Sequence, residues 1–229
     1  MVSQLLKPKV YWGYGVPESD LFSSDLVPLY KDLKNNYGDQ DVFKCPVYLN
    51  HIKNAYVYHA PFNVELKWED DAWFIRGINT VEMEFKLPER FENWIQIDDL
   101  PGFGLNFFAD RKNTKLTMTP PYLHANSMAG VAGVFDVGSW FRTVVPTFFK
   151  LDKTTFRINK GDPIMYIFFD KPVSLRRFQV TQEIADMRDR CISVKFWLQQ
   201  KSMKDLYTMF IAKKYDKKLL KLLKEAAYE

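Results

Sequence analysis

Three histidines, two cysteines and the adjacent acids Asp98-Asp99 are the places where this chain could do chemistry. In a β-strand alternate residues share a face, so a metal site built on strands is normally announced by His-x-His or His-x-Asp/Glu. The residues two positions after His51, His59 and His124 are Lys53, Pro61 and Asn126, and none of these completes such a pair. What remains open is a site of dispersed ligands: iron or another divalent metal held by His51, His59 and His124 with an acid such as Asp98. Asp98-Asp99 precedes Pro101-Gly102 and reads as turn chemistry, because adjacent carboxylates in a loop point in different directions. Cys45 and His51 would make a thiol dyad only if Cys45 left the apolar strand in which the sequence places it. Gly102-Phe-Gly104 and Gly130-Val-Ala-Gly133 lack both the Lys-Ser/Thr ending and the spacing of a phosphate loop. No catalytic set is assigned, and the leading reading needs no cofactor.

Aromatic rings are the other resource, at 19 Phe, 12 Tyr and 6 Trp. Trp12, Tyr14, Trp94, Tyr122 and Trp140 lie beside turns or loops, where an exposed ring could stack on a sugar or anchor a protein partner. These five are the candidate binding residues.

The elements that must position these groups are mostly short strands. Lys9–Tyr14 reads as a first strand, followed by a helix whose N-cap is Ser19 or Asp20. That helix is interrupted by Pro28 and ends at Asn35-Asn36-Tyr37-Gly38. Strands are then expected at Cys45–Leu49, Ala55–His59, Asn63–Trp68, Ala72–Arg76 and Thr80–Phe85. Val64, Leu66 and Trp68 alternate with polar residues, as do Val81, Met83 and Phe85, so one face is dry and one wet. Residues 88–104 read as irregular. Strands resume at Leu105–Phe108, Lys115–Thr119, Val131–Phe135, Val144–Phe149, Phe156–Ile158 and Ile164–Phe169. Asn159-Lys-Gly-Asp162 joins the last two in what reads as a closing hairpin, Gly161 supplying the positive φ of the turn. After Val180 neither Gly nor Pro occurs, and Ile184, Met187, Cys191, Val194 and Leu198 make an apolar stripe. A lysine-rich amphipathic helix closes the chain, read as a surface helix covering a sheet.

This pattern predicts a mainly β protein: an antiparallel β-sandwich or jelly-roll-like core over residues 1–180, with a helical C-terminal segment over residues 181–229 packed on it. Hydrophobic residues at 47% suffice for a full core and exclude wholesale disorder. With 32 Lys and Arg against 28 Asp and Glu, the net charge of +4 is too balanced to suggest nucleic acid as partner. Cys45 and Cys191 stand far apart and read as reduced, buried thiols. No apolar run reaches the length of a membrane span, and the first residues lack the pattern of a signal peptide.

Phe43-Lys-Cys-Pro-Val-Tyr-Leu-Asn50 followed by Asn54-Ala-Tyr-Val-Tyr-His-Ala-Pro-Phe-Asn-Val-Glu-Leu66 resembles the opening of an uncharacterised family of bacterial and phage proteins. Thr119-Pro-Pro121, Gly133-Val-Phe-Asp136, Trp140, Val145–Phe149 and Phe156–Ile164 resemble its second half, so the likeness spans roughly residues 43–172. It implies a phage or bacterial origin and no particular chemistry. The function expected is that of a non-enzymatic phage protein acting through protein–protein contacts, with a protein partner or by self-assembly into a homo-oligomer. It would work in the host cytoplasm or in the virion. The alternatives are a metal-dependent jelly-roll enzyme of the oxygenase kind, and a sugar- or small-ligand-binding module.

Overall fold

The structure is a computed structural model, and it describes residues 7–15, 24–38, 40–69, 72–77, 83–86, 94–96, 103–124, 130–149, 155–192 and 202–228. In chain order the first elements are β1 (Lys9–Tyr14), β2 (Val27–Pro28), α1 (Leu29–Tyr37), a 3-10 turn at Asp41–Lys44, α2 (Pro46–Ile52) and β3 (Ala55–His59). The middle of the chain holds β4 (Val64–Glu69), β5 (Ala72–Gly77), β6 (Met83–Lys86), β7 (Trp94–Gln96), β8 (Leu105–Ala109), β9 (Lys115–Thr119) and β10 (Gly133–Asp136). Then come β11 (Thr143–Val144), β12 (Thr147–Phe149), β13 (Thr155–Ile158), β14 (Pro163–Phe169) and β15 (Ser174–Phe178). The last elements are α3 (Gln182–Ile192), α4 (Met203–Ala212), α5 (Tyr215–Ala226) and β16 (Ala227–Tyr228).

Among the described residues the strands form two five-stranded sheets, a four-stranded sheet and a two-stranded one. The first sheet has the order β11-β8-β1-β15-β16, with β1 and β15 parallel and the other pairs antiparallel. The second, β10-β9-β14-β3-β2, is antiparallel throughout. Strand alternation then distributes the side chains between layers. Val10, Trp12 and Tyr14 of β1 and Leu105, Phe107 and Ala109 of β8 share one core with Leu116, Met118, Met165, Ile167 and Phe169 of β9 and β14. The intervening residues face the other way. Tyr11, Phe108 and Phe178 of the first sheet pack with Ile184, Met187, Phe210, Leu219 and Leu223 of the C-terminal helices. Ala55, Val57 and Tyr166 of the second sheet pack with Leu29, Leu33, Phe43 and Ile52 of the α1–α2 region. Each such side chain, fully buried, contributes roughly 1.5–3 kcal/mol, which is why both outer faces carry helices.

The antiparallel, mainly β reading with a helical C-terminus holds, as does the apolar stripe of Ile184, Met187 and Cys191. Several local readings are corrected. Gly161 has the expected positive φ of 88°, but β13 and β14 do not form a hairpin: β13 pairs with β4, while β14 pairs with β3 and β9. The turn carries the chain from one sheet to another. Cys45–Leu49 is not a strand, because Pro46 opens the helix α2 at a position where its missing N–H costs nothing. Cys45 is therefore exposed, not buried, while Cys191 is buried as read. Pro28 does not interrupt a helix but immediately precedes one; α1 runs from Leu29 to Tyr37 and is capped by Gly38, whose φ is 73°. The N-cap candidates Ser19 and Asp20 lie outside the described residues. β7 falls in the stretch read as irregular, and β15 is a strand the periodicity did not suggest.

Candidate functional site

Helix α1 lays Leu29 and Leu33 against the second sheet, one turn apart on the same face. Asp32 falls between them on that stripe and is carried underneath with them, 8% exposed. Strand alternation supplies what meets it. His59 has the parity of Ala55 and Val57 on β3, and Tyr166 that of Phe168 on β14, so both residues face the α1–α2 side. The turn after β9, closed by bonds from Tyr122 N to Pro120 O (2.9 Å) and from His124 N to Pro121 O (3.1 Å), delivers His124 to the same place.

The result is a buried polar chain centred on one carboxylate. His124 Nε2 lies 2.9 Å from Asp32 Oδ2, and His59 Nε2 lies 3.1 Å from Asp32 Oδ1. Asn36 Nδ2 donates to Asp32 Oδ2 at 3.1 Å. On the far side of His124, Nδ1 is 2.5 Å from the Tyr166 hydroxyl. Burial alone would push the Asp32 carboxyl up. The hydrogen bonds from His124 and His59 and the fields of both rings outweigh it and hold the group well below the usual carboxylate range. Burial pushes the Tyr166 hydroxyl far above its ordinary value, so it stays protonated. An ionised Asp32 only accepts, so each imidazole donates to it through Nε2–H, and His124 Nδ1 shares a further hydrogen bond with the Tyr166 hydroxyl.

The third histidine stands at the rim of this chain. His51, exposed on α2, lies with Nε2 2.7 Å from the Tyr122 hydroxyl, and its ring is 5.3 Å from Phe168. Tyr122 in turn packs edge-on against Tyr166 with centroids 5.5 Å apart, and Tyr37 lies 5.9 Å from the His124 ring. All three histidines thus gather on one side of the second sheet. Sequence reasoning named them but paired them with Asp98, which lies outside the described residues, and missed Asp32. The signal was present: an acid three residues after Leu29 and one before Leu33, on the apolar stripe of a helix.

In this arrangement the three groups are engaged with one another. A two-histidine, one-carboxylate triad aims three lone pairs at a single point. Here the two oxygens of Asp32 take one imidazole each, and His124 spends its other nitrogen on Tyr166. Among the described residues no group of three or more His, Cys, Asp or Glu is placed to hold an ion. Nor does a Ser, Thr or Cys among them reach either imidazole of the pair; Ser24 Oγ donates to the His59 backbone oxygen at 2.8 Å.

The aromatic candidates part company. Trp12 and Tyr14, read as rings at a surface turn, are buried in the core that the two sheets share, because positions 10, 12 and 14 of β1 all face inward. Trp140 is half-buried between Phe135 (5.0 Å) and Tyr207 (4.9 Å). Trp94 belongs to β7, and its side chain lies outside the described residues. Tyr122 is exposed, at 45%. It ends a strip that sequence reasoning did not assemble, beginning at Tyr30 (37% exposed) and passing Val47 (79%). Tyr30 is linked to Tyr48 through the buried ring of Phe43 (6.4 and 5.8 Å), and Val47 and His51 share a face of α2.

Comparisons with protein-family models, with curated proteins and with solved structures return no match to this chain.

Proposed function

We propose that this chain is a non-enzymatic binding protein acting through protein–protein contacts, with the strip from Tyr30 through Val47 and His51 to Tyr122 as its recognition surface. The observation that carries the reading is the pairing of exposed rings with a rigid base. Tyr122 is fastened through His51 and seated on Tyr166, which is itself bonded into the His124–Asp32 chain. Tyrosines held in one geometry lose little entropy on binding, the property that makes them interface anchors. Lys31 and Lys53 are exposed beside the strip, so the partner it suits has an apolar centre and acidic groups at its rim. The same rim repels a second copy of itself, which favours a heterologous partner over self-assembly. The two five-stranded sheets, read as a sandwich of jelly-roll kind, provide the rigid frame. The likeness of residues 43–172 to bacterial and phage proteins supports a partner in the virion or the host cytoplasm.

The test places a photo-crosslinking residue at Val47 and, as control, at Lys160 on the turn before β14. The expected outcome is a discrete adduct from position 47 alone, lost in Tyr122→Ala and weakened by salt when remade from purified partner. Equal labelling from both positions, or none from position 47, overturns it.

An acid–base enzyme is the second reading, resting on a narrower observation. Asp32 engages His59 through Nε2, which leaves Nδ1 of that half-buried ring as an acceptor. On that reading His59→Gln abolishes turnover; on the first it leaves the crosslink intact.

A further inference from the structure

A second site lies across the molecule from the histidines, where the C-terminal helices meet the edge of the first sheet. Lys9, Tyr11, Arg176, Lys224, Ala227 and Tyr228 line a cavity of about 250 Å³. Register explains the gathering. Tyr11 of β1 is paired with Arg176 of the parallel strand β15, and Lys9 lies two residues before Tyr11, so all three share the face turned toward the helices. α5 buries Leu219 and Leu223 on that face and brings Lys224 to the rim. β16 adds Tyr228, 42% exposed, as the outer wall.

Charge makes this cavity unusual for a surface hollow. Lys9 and Lys224 form no ion pair among the described residues. Asp110 is the acid nearest the floor: it accepts from the Lys9 backbone N–H at 2.9 Å, and its field reaches Tyr11. Lys9 and Lys224 thus bring two positive charges to a partly walled space. The α5 C-terminus does not cancel them, since the Ala226 carbonyl accepts from Gln179 N at 3.1 Å. Burial and the Asp110 charge together push the Tyr11 hydroxyl up, against the opposing effect of Arg176, which keeps it a donor through the neutral range.

We propose that this cavity binds a phosphomonoester or inorganic phosphate, whose charge of about −1.5 to −2 near neutrality matches the charges of Lys9 and Lys224. Lys9 and Lys224 act as point charges on either side of the phosphate, Tyr11 donates from the floor, and Arg176 borders the space. The volume leaves room for a small organic group beside the phosphate, against the Tyr228 ring. α5 has already buried its apolar leucines against the sheet, so the phosphate comes from solution and not from a bilayer into which the helix inserts.

The experiment is titration calorimetry on the full chain with inorganic phosphate and with phenyl phosphate, in a buffer free of other oxyanions. Binding should be saturable and weaken with added salt, with phenyl phosphate tighter than phosphate. Lys224→Glu should lower the affinity at least tenfold, and the control Lys160→Glu should not. A cosedimentation arm uses vesicles of phosphatidylcholine with phosphatidic acid. Little retention is expected, and whatever occurs should be released by phenyl phosphate. Unchanged affinity in Lys224→Glu, equal loss in Lys160→Glu, or retention on vesicles that phenyl phosphate does not compete would each overturn the assignment. Thermal unfolding of the same variants without ligand separates a lost site from a lost fold.

Discussion

The chain handles charge in opposite ways on its two helix-covered faces. Under α1 one carboxylate is buried and fully compensated: His59, His124 and Asn36 all turn polar hydrogens toward Asp32. Beside α5 Lys9 and Lys224, which form no ion pair among the described residues, border a cavity where Asp110 is occupied with backbone. A closed network has nothing left to give a ligand and stiffens what lies on it. An open one is electrostatically unfinished in the folded state, and an anion would complete it. The difference separates a support from a site.

The contrast is broken most severely at Asp32. Removing one partner of a buried ionic cluster leaves the others desolvated without compensation, so Asp32→Ala should cost about 3–5 kcal/mol, read as a lower midpoint in urea unfolding. Tyr166→Phe deletes a single hydroxyl from the same chain and orphans His124 Nδ1, for a smaller loss of about 1–3 kcal/mol. Acid sharpens the distinction. Asp32 is held below the ordinary carboxylate range in the fold, so its contribution is complete above the unfolded-chain value of ~4. It is lost as the pH falls through the depressed folded value. The wild type should therefore lose stability on acidification more steeply than Asp32→Asn, in a series of unfolding curves from pH 6 downward. On the open side Lys224→Ala and Lys9→Ala should change stability by no more than about 0.5 kcal/mol, the sign favourable if relief of repulsion dominates, while phosphate no longer raises the Tm. Val47→Asp should be the quietest of all in unfolding, yet abolish binding of the purified partner at the α1–α2 strip in a pull-down.

Much of the frame was legible because it obeys local periodicity. The alternation in β9 and the apolar run of β14 follow from one wet face or none, and Ile184, Met187 and Cys191 mark α3 at helical spacing. α2 was misread because Val47, Tyr48 and Leu49 have strand-like preferences; Pro46 at the first helical position and the burial of Ile52 decide otherwise. β15 was invisible because Arg176 and Arg177 look like loop residues. Arg177 in fact lies over Trp12 (5.4 Å) and Tyr14 (5.2 Å), where its flat guanidinium substitutes for an apolar side chain. Trp12 and Tyr14 were misjudged by proximity to a turn, which says nothing about how central their strand is.

By itself the sequence determined what depends on neighbours within a turn or a pleat: most of the strands, the helical C-terminus, which residues of a strand face the same way, and the absence of any compact catalytic motif. Tertiary structure alone decided who meets whom. Asp32 reaches His59 and His124 only because β2, β3, β14 and β9 lie in that order beneath α1, and Lys9 reaches Arg176 only because the first strand pairs with the fifteenth. Those pairings are fixed by burying two sheet faces against each other and two against helices. That is a global balance of apolar area, to which no single segment carries the key.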